Sequence, residues 1–194
     1  MQLKRLFSAA AARGSRNYLN TQKKYELIRT LLYFAISLSL FIAGYIQTKE
    51  RANLLTVVAI LGCLPASKSA VSAVMYFRFK SCGSQAADVI ERHSEGLSCL
   101  FDMVFTSYKK NYCVAHLCVR GNTVCGFTES TGFDENEFYK HIGDILKMDG
   151  HKNVTVKIFD NLDKYTERLK QMRELETDEA KSQAILNTLK SVAL

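Results

Sequence analysis

Two long apolar stretches occupy the first half of the chain, and shorter segments of two different periods follow them. TLLYFAISLSLFIAGYI at 30–46 carries no charge. With Ile28 and its polar flanks it reaches the roughly 20 residues an α-helix needs to cross about 30 Å of hydrocarbon. After a polar link at 47–53, ANLLTVVAILGCLPASKSAVSAVMYFRF at 52–79 is apolar again. The pattern predicts a transmembrane helical hairpin over 29–80.

Beyond residue 80 the texture becomes that of a mixed domain. SQAADVIERHSEGL at 84–97 has helical spacing at Ala86, Val89, Ile90 and His93, with Gly96 as its stop. LFDMVFTS (100–107), YCVAHLCV (112–119) and NTVCGFTE (122–129) are rich in Val, Phe and Thr and read as strands. Arg120, Gly121 and Asn122 suit a tight hairpin between the last two. Asp134 followed by Glu137 opens a helix that Gly150 closes. NVTVKIFD at 153–160 alternates, with Val154, Val156 and Ile158 on one face. Two amphipathic helices follow, around Leu162, Tyr165, Leu169 and Met172 and around Ile185, Leu186, Leu189 and Val192. The expected class is α+β: a basic cytoplasmic arm at 1–28, the hairpin at 29–80, a cytoplasmic α/β domain at 81–175 and a C-terminal helix at 176–194, the soluble part in the order αβββαβαα.

Charge changes how the arm is read. The formal net charge is +7, but residues 1–80 hold 12 Lys and Arg against 2 acids, and residues 81–194 hold 14 against 17. Positive charge confined to the flank of an apolar segment marks the cytoplasmic side of a span. Arg78 and Lys80 mark the second exit in the same way. Both termini are therefore expected in the cytoplasm, and the basic arm is not read as nucleic-acid binding, since too few aromatic residues interleave it, Tyr18 and Tyr25 among them. The six cysteines, at 63, 82, 99, 113, 118 and 125, contain no Cys-x-x-Cys pair. In a regular strand Cys113 and Cys118 point to opposite faces, so neither a metal nor another cofactor is expected there.

GCLPASKS at 62–69 approaches a phosphate-binding loop through Gly62, Lys68 and Ser69. Ser67 stands where the second glycine must let the backbone curl, and Pro65 removes an amide donor. The bilayer accounts for the same residues: Lys68 lies about 26 Å along the second helix and reaches the inner headgroups with Arg78 and Lys80. Small residues at four-residue spacing, Ala35, Ser39 and Ala43 on the first span and Gly62, Ala66 and Ala70 on the second, predict close helix packing.

Over about residues 20–82 the string NLLTVVAILGCLPASKSAVSAVMYFRFKS resembles small uncharacterised two-span membrane proteins of Gram-positive bacteria. The resemblance implies location in a plasma membrane and no activity. The order helix, three strands, helix, strand is similar to the core of restriction-endonuclease-like nucleases, which hold magnesium with an Asp and a Glu-x-Lys pair. Glu91, Asp102 and Glu129 are the nearest counterparts, but Thr131 stands at the lysine position. His93, His116, His141 and His151 have no triad or metal spacing. The expected function is a membrane-anchored interaction or regulatory module, with the lipid bilayer, a cytoplasmic protein and further copies of the chain as partners; a magnesium-dependent nuclease, or a small transporter or channel subunit using Lys68, is the alternative.

Overall fold

A computed structural model describes residues 13–50, 53–175 and 178–194. The expected arm at 1–12 lies outside these residues. The chain divides into two compact units, which among the described residues are 19–79 and a second comprising 13–18 with 80–194. The described residues form six helices and four strands, an α+β chain.

The first unit contains α1 (Tyr18–Thr48) and α2 (Leu54–Phe77). Both are long and apolar enough to cross a membrane. Asn53 caps α2, its side-chain oxygen accepting from the Thr56 amide at 2.9 Å while its Nδ2 donates to Thr48 Oγ1 at 3.0 Å. The two helices run antiparallel: Glu26 and Thr30 meet Ser69, Ser37 meets Gly62, and Gly44 meets Asn53 and Leu55. A Cβ on Gly62 would lie 2.6 Å from Ser37 Oγ, so the backbones approach as closely there as glycine permits.

The contact line on α2 runs through Ala59, Gly62, Ala66, Ser69 and Ala73, and that on α1 through Glu26, Thr30, Ser37 and Gly44. Ala35, Ser39 and Ala43, the stripe expected on α1, are exposed, and Ala70 is half-buried. The reason is periodic. A stripe at strict four-residue spacing drifts around a helix, whereas the observed line alternates three and four residues, the spacing that keeps two helices in contact at a shallow left-handed crossing.

In the second unit, α3 (Ser84–Ser94) precedes β1 (Ser98–Thr106), β2 (Asn111–Arg120) and β3 (Thr123–Phe127); α4 (Glu135–Met148) leads to β4 (Thr155–Phe159), and α5 (Leu162–Arg173) and α6 (Glu179–Val192) follow. The sheet order is β1-β2-β3-β4, with the first two pairings antiparallel and β3–β4 parallel. Helix starts follow the sequence chemistry: Asp134 accepts from the Glu137 amide, Asn161 from Lys164 and Asp178 from Ala180.

The sheet is covered on both faces. Leu100, Met103, Phe105, Val114 and Leu117 pack with Phe138, Ile142 and Leu146 of α4 and Ile185 and Leu189 of α6. Phe101, Ala115, Cys118, Cys125 and Phe127 pack on the other face with Ile90 of α3 and Tyr165, Leu169 and Met172 of α5. The outer edge of β1 is also covered. Phe101 donates its amide to Gly14 O at 2.8 Å and Leu194 donates to Val104 O at 2.9 Å, which leaves little open strand to template association.

β1 and β2 do not alternate strictly between the two faces of the sheet. Leu100 and Met103, three residues apart, share a face, as do Val114 and Leu117. The register is unbroken, since Phe101 faces His116 and Met103 faces Val114. The change occurs at Asp102, whose φ of +54 is left-handed, a conformation that Asp tolerates better than most side chains. Cys113 and Cys118, expected on opposite faces, consequently lie on the same one: Cys118 is in the α3/α5 core and Cys113 Sγ approaches Lys80 O at 3.6 Å.

Candidate functional site

GCLPASKS is not a loop. Residues 62–69 lie inside α2, with Pro65 in the helix interior. Ser67 Oγ donates to Cys63 O at 2.8 Å, the local bond a helical serine makes. Ser69 instead reaches across to α1 and donates to Glu26 Oε2 at 2.9 Å. Glu26 is buried, and Arg29 approaches its other oxygen at 3.4 Å. Glu26 is the single acid among the first 29 residues, and its partner lies in the apolar motif. Lys68 on α2 and Arg78, which caps its C-terminus, are exposed.

In the α/β unit the polar chemistry gathers where the chain enters α3. Asp102 is buried in β1, and its Oδ1 accepts the Cys82 amide at 2.8 Å. Glu129, two residues beyond β3, accepts the Gly83 amide through both oxygens at 3.1 and 3.3 Å. Two carboxylates thus hold two successive amides, and Glu129 places negative charge at the N-terminus of α3, where Gly83 has no side chain to cap with. The same surroundings act on Cys82: burial, followed by Glu129 and Asp102, pushes its thiol up to about 12. It is a thiol at neutral pH, not a nucleophilic thiolate.

Glu91, the third expected carboxylate, is committed elsewhere. Arg16 bridges Asp88 at 2.6 Å and Glu91 at 2.8 Å. The structure therefore brings Asp102 and Glu129 to adjacent amides and leaves Glu91 in an ion pair. Among the described residues no group of three or more His, Cys, Asp or Glu side chains is arranged to hold a metal.

Two hollows flank Glu129. One, of about 560 Å³, is lined by Gly83, Ser84, Gln85, Val89 and Leu162. The other, of about 320 Å³, is lined by Thr128, Ser130, Thr131, Glu135 and Asp160. The second lies at the carboxyl ends of the parallel pair β3–β4, the place where open α/β sheets hold ligands. Its wall is acidic and hydroxylic, which disfavours phosphate and nucleic acid.

Sequence spacing also missed a buried polar pair. His116 Nδ1 lies 2.6 Å from the Tyr165 hydroxyl, both groups are fully buried, and Nε2 has no hydrogen-bond partner among the described residues. Phe101 meets the imidazole edge-on at 4.4 Å between ring centroids. Burial drives the His116 pKa down to about 3, with Glu91 opposing weakly, so the ring is neutral in the folded chain. No family model, no curated protein and no solved structure matches the chain.

Proposed function

We propose that this protein is anchored in a lipid bilayer by α1 and α2 and presents its α/β unit on the cytoplasmic side as an interaction or regulatory module. The observation that carries the reading is the exposed apolar surface of the two helices. Leu31 is 68%, Ile46 69%, Leu54 80% and Leu64 68% exposed, and their side chains face away from the helix pair. Burying each such side chain is worth about 1.5–3 kcal/mol, a demand that lipid meets along the whole length of both helices.

The division of the chain supports an even number of crossings. Residues 13–18 and 80–194, which flank the two helices, belong to one compact unit. A compact unit cannot occupy both sides of a bilayer, so a hairpin returning to its starting face is the arrangement that fits. The concentration of Lys and Arg in residues 1–80 favours the cytoplasm as that face. Lys68, exposed on α2, fits an ammonium extended to the headgroups.

Alkaline carbonate washing of membranes from expressing cells is expected to leave the full chain in the pellet until detergent is added. Release without detergent overturns the reading. Reporter fusions in the 47–53 link and at the C-terminus are expected on opposite sides, and a C-terminal fusion outside the cytoplasm reverses the orientation.

A second reading, a divergent magnesium-dependent nuclease core, is favoured by one observation, the order helix, three strands, helix, strand with a parallel fourth strand. Against it stand Thr131 at the lysine position and the engagement of Asp102 and Glu129 with backbone amides. Calorimetric titration of the detergent-solubilised chain with Mg²⁺ is expected to show no saturable binding. Binding that a Glu129→Gln change abolishes would favour the nuclease instead.

A further inference from the structure

Three cysteines stand in one row across the sheet. Cys99 of β1 faces Cys118 of β2, and Cys118 faces Cys125 of β3. Cys118 and Cys125 are buried, whereas Cys99 is only half-buried, so an oxidant in solution meets Cys99 first.

The backbone sets a different spacing between Cys118 and each of its two neighbours. The Phe101 amide points outward, to Gly14 O. Residues alternate along an antiparallel strand, so Cys99, two positions earlier and in unbroken register, also turns its amide away from β2. Cys99 and Cys118 are therefore a non-hydrogen-bonded pair, in which facing Cα atoms come to about 4.5 Å and side chains approach most closely. That spacing lies within the range of roughly 4.4–6.8 Å a disulfide spans. On its other side Cys118 bonds through its backbone to β3, which sets Cys125 at the wider spacing of about 5.5 Å.

We propose that Cys99 and Cys118 are a peroxide-oxidisable pair that closes a reversible disulfide between β1 and β2. Cys99 sulfur attacks one peroxide oxygen; the O–O bond breaks, the departing hydroxide takes up a proton as water, and Cys99 becomes a sulfenic acid. Cys118, which Cys99 and burial hold as a thiol, then bonds to Cys99 sulfur as it gives its proton to the departing hydroxyl; the S–O bond breaks, the hydroxyl leaves as a second water, and the S–S bond forms. Two thiols lose two electrons and one peroxide gains them. A dithiol reductant reverses the step by exchange.

The test uses the full chain in detergent, with Cys63 and Cys113 changed to Ser to remove the exposed thiol on α2 and to isolate Cys118 within its tryptic peptide. A few equivalents of hydrogen peroxide are added, followed by alkylation, intact mass and peptide mapping. The expected result is loss of two alkylatable thiols per chain, a mass lower by two hydrogens before alkylation, and one linked peptide pair, 93–109 with 111–120, that dithiothreitol separates. A link between Cys118 and Cys125 with Cys99 still alkylatable overturns the proposal. So does over-oxidation of Cys99 while Cys118 remains a free thiol, or retention of all four thiols. Cys99→Ser is expected to abolish the intramolecular link, and a link that persists in that variant is equally fatal. The mapping of the Cys99-containing protein stands whether or not Cys99→Ser folds.

Discussion

Truncating Phe138 to alanine is expected to destabilise the α/β unit by about 3–5 kcal/mol. Phe138 is fully buried on α4 and is the ring that others gather around: Phe105, Tyr112 and Phe133 lie 5.7, 5.3 and 5.1 Å away between centroids, at tilted or edge-on angles. Such aromatic pairs add about 0.5–1.5 kcal/mol beyond the area they bury. The lost ring also leaves a cavity that α4 cannot close, because Ile142 and Leu146 already fix the helix on the sheet. Against a total stability of roughly 5–15 kcal/mol for a domain, the loss is large. The measurement is thermal or denaturant unfolding of the detergent-solubilised chain followed by near-ultraviolet tyrosine dichroism; the chain has no tryptophan, and the far-ultraviolet signal includes α1 and α2. Phe138→Leu is expected to lose less than half as much. An alanine variant within about 1 kcal/mol of the parent would show that the ring does not anchor α4.

Acid is expected to unfold the same unit through His116. The unfolded chain takes a proton on this imidazole near pH 6.5, whereas in the folded chain burial delays protonation to about pH 3. Between these values the unfolded state binds the extra proton. Stability therefore falls as pH falls, by up to about 1.4 kcal/mol for each pH unit below 6.5, and is unaffected by this residue above it. Carboxylates also contribute to acid sensitivity, so the comparison is with His116→Phe, which removes the titrating group and keeps a ring against Phe101 and Tyr165. Melting temperatures of parent and variant, measured from pH 7.5 to 4.5, are expected to diverge with the parent falling more steeply. Parallel curves would mean that His116 takes up its proton in the folded chain as readily as in the unfolded one.

The parts of the fold that were legible in the sequence share one property: their signals are local. The Asp134 cap is read from a carboxylate three residues before Glu137, and β4 from the alternation of Val154, Val156 and Ile158. Two long apolar runs need no partner to be recognised as helices. Side-chain direction was less legible where a single backbone angle resets it. Asp102 at φ +54 shifts the faces of two strands, and nothing in LFDMVFTS distinguishes that aspartate from one in an ordinary strand. Contacts between distant segments were illegible for the same reason. Glu26 on Ser69, Glu129 on the Gly83 amide and His116 on Tyr165 are set by which elements pack together, not by spacing along the chain. Glu91 lies on α3, Asp102 on β1 and Glu129 two residues beyond β3, but their roles depend on partners that only the fold supplies.

The α/β unit is discontinuous in the chain. Gly14 pairs with Phe101, and Arg16 reaches Glu91 across a separation of 75 residues, with both apolar helices lying between. Closing a chain segment of this length costs little more entropy than closing a shorter one, but the intervening helices must first find an environment for their surfaces. Biogenesis therefore has an order. Until the helices are housed, the amide of Phe101 and the side chains of Asp88 and Glu91 await partners from the far side of the hairpin, and the edge of β1 is incomplete. On the proposed anchoring, membrane integration and completion of the sheet become coupled steps, so a failure of insertion is expected to be felt as misfolding of the α/β unit.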